Sequence, residues 1–342
     1  MLRPLAFALA LLAPGFWPVA AGAANFGALV DTVVDDHILP GFTRFAAATE
    51  SLKTTADVGC DPQSPALRAA YHAGFDAWLG VSHLRFGPTE AEDRAFALAF
   101  WPDTKGFTPK SLSKLIADVD PAVNDPAAFD HVSIAARGFF ALEFMLYDPG
   151  FAAAGQPAYR CALIRAIARD IDANADAILR DWQTAYADEL RNPGPGRHYR
   201  SGEEAVQELF KALTTGLQFT SDTRLGRPMG TFDRPRPNRA EAHRSGRSLR
   251  NVEASLTALR ALALSLAQGS PDLTGDIAAA FDTALGEAAA LNDPVFAGVA
   301  DPQGRLRVEI LQQKIDHIRE IAATELGPLL GVAAGFNSLD GD

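Results

Sequence analysis

A strongly apolar segment, VSIAARGFFALEFMLY, occupies residues 132–147. Apolar residues cover nearly every side of a helix drawn through it, which is the pattern of a buried helix. Glu143 lies in the middle of this segment, on one helix face with Phe140, Phe144 and Tyr147. A buried carboxylate must be hydrogen-bonded, paired with a cation, protonated or bound to a metal. Glu143 is therefore either a satisfied structural residue or part of a functional site.

The rest of the chain also carries helical periodicity, with abundant Ala and Leu and few β-branched runs, so the predicted fold class is all-α. A kink or break is expected at Pro40-Gly41, and Ser64-Pro65 is typical of a helix start. The Pro- and Gly-rich residues 192–196 form the strongest break and predict a domain boundary. We expect two helical-bundle domains, residues 24–191 and 197–342, packed together. The predicted helices are residues 25–52, 64–84, 111–118, 132–147, 159–190, 203–225, 244–267, 273–290 and 305–326.

The N-terminus has the pattern of a secretory signal. Arg3 precedes the apolar run Leu5–Leu12, and Ala21-Gly22-Ala23 fits the small-residue rule of a cleavage site. Residues 1–23 are thus predicted to be a signal peptide, with Ala24 as the mature N-terminus and a periplasmic location for the exported protein. No later stretch reaches eighteen apolar residues, so no transmembrane segment is expected in the mature chain.

Charge and cysteine content narrow the function classes. The net charge of −11 makes nucleic acid a poor partner. The acidity could attract cations or basic ligands, or could serve solubility alone. The two cysteines, Cys60 and Cys161, are predicted to form a disulfide in an oxidising compartment. The sequence has no zinc-protease helix, nucleophile elbow or phosphate-binding glycine loop.

Gly138 to Leu146 resembles the core motif of the imelysin family, G-x-H-x-x-E followed by apolar residues. Gly138 and Glu143 match this motif, whereas Phe140 stands where the family has histidine. Further segments are similar to the family in the same order along the chain. They are RFGP at residues 85–88, WPD at 101–103, RPMG at 227–230, the Arg244-Ser245 pair, and GFN-x-L-DGD at 335–342.

The resemblance implies an all-α periplasmic or surface protein with two bundle domains, a cleft between them and a link to iron acquisition. The motif histidine and glutamate are the family's proposed metal ligands, and only Glu143 carries over. A single carboxylate is a poor ligand set for a transition metal. The cofactor is therefore iron, another divalent metal, or none, and the site is either altered or retired.

Several residues could complement Glu143. His83 is a possible ligand or a packed residue, and Asp103 could form a carboxylate pair or cap a turn. For a cationic partner of Glu143, Arg85 is the first choice and Arg244 the second.

Two further groups of residues could line the cleft. Arg244 and Ser245 could face it, although a serine at a helix N-terminus is first of all a capping residue. The arginines of the predicted loop at residues 226–239 would suit an anionic ligand, or simply a solvated loop; they are Arg227, Arg234, Arg236 and Arg239.

These features predict an imelysin-like periplasmic protein that acts in iron or other metal-ion uptake by binding rather than by catalysis. Its partner would be a metal ion, a small ligand, or an envelope protein of an iron-uptake system. One alternative is a peptidase, as the family's name suggests. Another is a helical scaffold that binds a protein and no metal.

Overall fold

The computed structural model describes residues 26–332. Within this range the chain is helical, with one isolated β-bridge between Thr231 and Arg234 and no strand, so the all-α prediction is confirmed. None of the helices in residues 26–332 has the length and apolar character needed to cross a membrane. The predicted signal peptide and the C-terminal motif at 335–342 lie outside the described residues.

The first half of the chain folds around four helices, Leu39–Val58 (α2), Pro65–Leu79 (α3), Gly138–Tyr147 (α7) and Pro157–Asp181 (α9). Helix α2 packs against both α3 and α9, and α7 packs against α9. In chain order the helices of this half are α1 (Phe26–Val33), α2 (Leu39–Val58), α3 (Pro65–Leu79), α4 (Arg94–Leu98), α5 (Phe107–Asp118), α6 (Pro126–Phe129), α7 (Gly138–Tyr147), α8 (Pro149–Ala152), α9 (Pro157–Asp181) and α10 (Ala187–Arg191).

In the second half of the chain, α11 packs on α13 and α15, and α14 contacts both α13 and α15. Its helices are α11 (Gly202–Gln218), α12 (Gly226–Met229), α13 (Ser248–Ala267), α14 (Pro271–Leu291), α15 (Pro302–Ile321) and α16 (Gly327–Leu330).

The two halves share buried surface. Helix α1 packs against α11 and α13, although it precedes all other helices of the first half, and α13 also contacts α3. The buried apolar side chains of both halves belong to one continuous cluster. The division into two domains at residues 192–196 stays a prediction.

The first predicted helix is interrupted at a different place from the one expected. Helices α1 and α2 run on through a π-helical turn at Val34–Ile38, and Pro40 falls in the first turn of α2. The wider turn ahead of Pro40 accommodates the residue that lacks an N–H. A break at Pro40-Gly41 is therefore wrong, and the helix is distorted just before Pro40 instead. At the next helix, Ser64 Oγ accepts a hydrogen bond from the Leu67 N–H at 3.3 Å, as its N-cap position predicts.

Cys60 and Cys161 form the predicted disulfide, with their Cα atoms 5.2 Å apart. The bridge joins the loop before α3 to the first turns of α9 and closes a segment of 101 residues. It therefore ties together α3 and α9, both of which pack against the apolar helix α7.

Helix α7 begins later than the sequence pattern suggests. Gly138 has φ +73°, and a Cβ there would lie 2.2 Å from the Ala97 carbonyl oxygen. Only glycine tolerates both that backbone conformation and that close approach. The predicted helix at residues 132–147 therefore becomes a short 3₁₀ turn, Ile134–Ala136, followed by α7.

Candidate functional site

A cavity of about 200 Å³ opens between α7 and the segment that leads from α12 to α13. Predicted site residues from both halves of the chain meet along its wall. Among the residues that line it are Trp101, Asp103, Phe140, Glu143, Phe144, Arg227, Arg239, His243 and Arg244.

Ser245 is the partner of the buried carboxylate Glu143. Its backbone N–H donates to Glu143 Oε1 at 2.9 Å, and its hydroxyl donates to the same oxygen at 2.7 Å. Glu143 Oε2 accepts no hydrogen bond from residues 26–332. Of the two carboxylate oxygens, one thus joins the halves of the chain, and the other is left for the cavity.

Burial dominates the electrostatics of Glu143, which is 1% exposed. Desolvation raises the pKa of its carboxyl, although the two Ser245 hydrogen bonds and the charges of Arg244 and Arg247 oppose that shift. The pKa of the Tyr71 phenol is raised well above its usual value by burial and by the neighbouring Glu143 carboxylate. Glu143 is therefore held by neutral donors in an apolar setting, without a direct ion pair.

Phe140 fills the position of the motif histidine with an aromatic stack. Its ring lies nearly parallel to Trp101, with centroids 6.2 Å apart, and meets the edge of Phe75 at 5.4 Å. The side chain is 5% exposed. No nitrogen is available at this point to bind a metal together with Glu143.

The predicted pairing of Glu143 with Arg85 is wrong. Arg85 forms an exposed ion pair with Glu90 in the turn just after it, and its guanidinium lies over Phe96. An ion pair at the surface between residues close in the chain needs less chain ordering and less desolvation than a buried ion pair. Arg85 therefore pairs with Glu90 rather than with Glu143. The second choice, Arg244, is also not bonded to Glu143, because its Nε contacts Asp148 Oδ2 at 3.2 Å.

His83 does not join Glu143 either. Its Nε2 lies 2.8 Å from Nε2 of His37, which sits in the π-helical turn between α1 and α2. Burial lowers the pKa of His37 to about 4 and that of His83 well below its usual value. The two imidazoles are therefore a neutral, buried pair in which one ring donates and the other accepts.

Asp103 lines the cavity, but its carboxylate is hydrogen-bonded to backbone N–H groups of the following residues. It accepts hydrogen bonds from the N–H groups of Phe107 at 2.9 Å, Thr108 at 2.8 Å and Lys105 at 3.3 Å. Burial opposes the shift, yet these donors hold the pKa of Asp103 below its usual range. The capping role that the sequence left open for Asp103 is the one that the structure contains.

Arg244 and His243 form the edge of the cavity on the second-half side. The Arg244 guanidinium lies 3.7 Å from the centroid of Phe144 while it pairs with Asp148. His243 Nδ1 lies 3.2 Å from the Ala240 carbonyl oxygen, so it carries the proton. Burial and Arg244 lower the pKa of His243, which leaves a neutral ring.

A second polar network between the halves was missed in the sequence. Arg247 is almost fully buried, and its Nη1 donates to His72 Nδ1 at 2.9 Å while Nη2 contacts Asp76. Because arginine only donates, His72 must carry its proton on Nε2 and donate it to the Tyr147 hydroxyl at 2.8 Å. Arg247 shows no periodicity that would distinguish it from a surface arginine, so only the fold reveals it.

Few side chains around Glu143 are free to act as metal ligands. Phe140 offers no ligand, Asp103 is engaged by backbone donors, and one oxygen of Glu143 is taken by Ser245. No group of three or more His, Cys, Asp or Glu side chains in residues 26–332 is arranged to hold a metal ion. A metal role for Glu143 by itself stays a prediction.

Comparison with known proteins agrees with the resemblance to the imelysin family that the sequence motifs indicate. The family model described as imelysin (peptidase M75) matches residues 38–322. The chain is 22% identical to iron-regulated protein A of Synechococcus elongatus over 324 residues, covering 87% of this chain and 85% of that protein.

Two solved structures have a similar fold. An imelysin-like protein from Psychrobacter arcticum has a TM-score of 0.76 at 18% identity, covering 91% of this chain and 97% of that one. An iron-regulated protein A precursor from Parabacteroides distasonis has a TM-score of 0.71 at 14% identity, covering 87% of this chain and 94% of that one. Because the family model spans most of the chain, from α2 into the turn after α15, this protein belongs to the imelysin family.

Proposed function

We propose that this protein is an exported binding protein of iron uptake, and that it binds its ligand in the cavity between α7 and the α12–α13 segment. One observation carries the proposal: cationic, aromatic and carboxylate side chains from both halves converge on this one cavity. The names of the relatives, which refer to iron regulation, support the link to iron. Phe140 in the motif position favours a ligand that brings its own coordination over a bare metal ion.

Binding is favoured over the peptidase alternative by the state of the polar groups. A hydrolase needs a general base or metal-bound water close to its substrate. Around this cavity the carboxylates of Asp103 and Glu143 are already hydrogen-bonded, and the described residues contain no metal cluster. We expect the purified protein to leave unfolded casein uncleaved, with and without added zinc.

Iron retention tests the proposal directly. The mature protein is dialysed against iron supplied as ferrous ascorbate and as ferric citrate, and bound iron is measured by plasma mass spectrometry. Asn238→Trp fills the cavity from its rim, and Thr231→Trp places the same side chain on the same loop outside it. We expect about one iron per chain in at least one supply form, lost in Asn238→Trp and kept in Thr231→Trp. Iron that stays bound in Asn238→Trp, or is absent in every form, contradicts the proposal.

A further inference from the structure

Two arginines on the cavity wall lack a partner. Arg227 and Arg239 both line the cavity, and within residues 26–332 neither guanidinium has a hydrogen bond or an ion pair. Nε of Arg227 is shielded from solvent and still has no acceptor. A cationic donor buried without an acceptor is costly, so a fold that keeps one in a cavity leaves room for an acceptor from outside.

The other charged groups on the wall are already engaged. Asp103 accepts from backbone N–H groups, Glu143 accepts from Ser245, and Arg244 pairs with Asp148. None of them is arranged to neutralise Arg227. Arg227 instead lies over the Trp101 ring, 5.7 Å from its centroid, where the aromatic face supports the cation without taking up its donors.

The two arginines also repel each other. Burial is the first cause that lowers the pKa of Arg227, and the charge of Arg239 is the second. They come from neighbouring parts of one loop, since α12 packs on the 3₁₀ turn Pro237–Arg239. An anion placed between them would relieve the repulsion and satisfy the donors at the same time.

This loop is held in a fixed shape. The Arg236 N–H donates to the Pro228 carbonyl at 2.8 Å, and Arg305 Nη1 donates to the Met229 carbonyl at 2.6 Å. Gly230 has φ +55°, and a Cβ there would lie 2.4 Å from the Arg234 carbonyl oxygen. The arginine pair is therefore positioned by the backbone before any ligand arrives, which lowers the entropy cost of binding.

A larger groove beside α6 and α9 shows the contrast. It has about 320 Å³ and is also lined by charged residues. Its arginines are paired, however, because Arg94 bonds Asp181 and Arg169 lies 3.6 Å from Asp57, while its carboxylate Asp170 binds Arg137. The arginines of that groove therefore need no anion from outside, whereas Arg227 in the cavity has no acceptor within residues 26–332.

We infer that Arg227 and Arg239 bind a small polycarboxylate in this cavity, taken up free or as its ferric chelate. Each guanidinium presents a planar fork that matches one carboxylate group, so two forks select a ligand with at least two. Ferric iron is a hard cation that oxygen ligands hold well, which connects such a ligand with iron uptake. This inference rests on the proposed function and names the class of ligand at the same cavity.

Calorimetric titration with citrate and with ferric citrate tests this inference, with inorganic phosphate as the comparison anion. Arg227→Gln and Arg239→Gln each remove one fork, and Arg234→Gln makes the same charge change on the same loop outside the cavity. We expect wild-type protein to bind at least one form of citrate, with affinity about tenfold or more weaker in each of the first two variants and unchanged in Arg234→Gln. Whether free or iron-loaded citrate binds more tightly identifies the source of the ligand.

The inference is overturned if neither form of citrate binds, if phosphate binds as tightly, or if Arg227→Gln and Arg239→Gln bind like the wild type. A variant that fails to fold is recognised by its far-UV circular dichroism; Arg227→Lys then replaces it, because it keeps the charge but loses the fork. Iron retention without citrate binding would refute this inference and keep the proposed function. Citrate binding without any iron retention would refute the proposed function and keep the assignment of the anion site.

Discussion

Ser245 donates both its backbone N–H and its hydroxyl to Oε1 of Glu143, across 102 residues of chain. Glu143 belongs to the most apolar helix of the first half, and Ser245 lies in the turn that leads into α13. The contact satisfies a carboxylate that would otherwise be buried without a donor. It also fastens the two halves of the chain at the wall of the cavity, so its loss should affect stability first.

Ser245→Ala should lower the free energy of unfolding by about 1–2 kcal/mol, because it removes one of the two donors and leaves the backbone N–H in place. Urea unfolding followed by circular dichroism measures the change. Ser51→Ala is the matched control, since the Ser51 hydroxyl donates only to the Ala47 carbonyl on an exposed helix face. Equal effects of the two substitutions would mean that the Glu143 contact adds no stability.

Replacing both Cys60 and Cys161 by serine should lower the free energy of unfolding by roughly 2–5 kcal/mol, because the bridge restricts a loop of 101 residues in the unfolded chain. Guanidinium unfolding with and without dithiothreitol measures it. Reductant should destabilise the wild type and leave the double variant unchanged. Two free thiols titrated in denatured, unreduced wild-type protein would rule the bridge out.

Phe140→His should raise the affinity for zinc at least tenfold, because an imidazole at this position stands one helical turn from Glu143. Oε2 of Glu143 accepts no hydrogen bond from the described part of the chain. The same change removes the packing of Phe140 on Trp101 and Phe75, and it should cost roughly 1–3 kcal/mol of stability. Equilibrium dialysis with zinc and thermal unfolding measure the two effects. Phe140→Leu separates them, since it should lose stability without gaining affinity.

Local signals in the sequence predicted the fold well. The Ser64 cap and the apolar faces of α9 and α13 depend on residues close to one another in the chain, and the structure contains them. The Cys60–Cys161 bridge was also predictable, because the sequence predicts export and two cysteines allow one pairing.

The site was predictable only in part. Glu143, Phe140, Asp103 and Arg244 do line one cavity. The partner of Glu143 was not predicted. Ser245 lies 102 residues away in the chain, and nothing in the sequence distinguishes it from the arginines as a partner for a buried carboxylate. Arg85 looked suitable by proximity in sequence to a matched motif, but a carboxylate five residues further on satisfies it at the surface. Such contacts depend on tertiary geometry, for which the chain carries no periodic signal.

The buried His37–His83 pair should make the protein lose stability as the pH falls from about 6.5 to 4. The unfolded chain binds protons on these rings below pH 6.5, whereas the folded pKa of His37 is about 4, so acid favours unfolding in this window. The stability is fully present above pH 6.5, and the loss from His37 is roughly 2–4 kcal/mol at pH 4. Urea unfolding at a series of pH values measures it.

The histidine variants need a matched comparison. His37→Gln keeps a polar atom near the position of Nε2 and should reduce the pH dependence between pH 6.5 and 4. Part of the dependence should remain, because burial also lowers the pKa of His72 to about 4. His131 is exposed, so His131→Gln should leave the slope as it is in the wild type. A wild-type slope in His37→Gln would show that other groups cause the acid sensitivity.

Glu143→Gln and Glu143→Ala should separate the hydrogen-bonding role of Glu143 from its charge. Glutamine keeps an oxygen that can accept from Ser245, so this variant should unfold within about 1 kcal/mol of the wild type. Alanine leaves the part-buried N–H of Ser245 without its acceptor, although the hydroxyl can still donate to the Ala242 carbonyl at 3.1 Å. It also removes a buried side chain and should cost roughly 2–4 kcal/mol.

The pH dependence of Glu143→Gln then reports on the charge. Burial raises the folded pKa of Glu143, so the wild type gives up its proton less readily than the unfolded chain does. The wild type therefore loses stability relative to Glu143→Gln as the pH rises above about 4.5 and through the folded pKa, and the difference is constant beyond it. Unfolding both proteins in urea between pH 4 and 8 measures this difference. A Glu143→Gln protein that becomes less stable than the wild type with rising pH would mean that the carboxylate is stabilised as an anion, in conflict with its neutral Ser245 donors and deep burial.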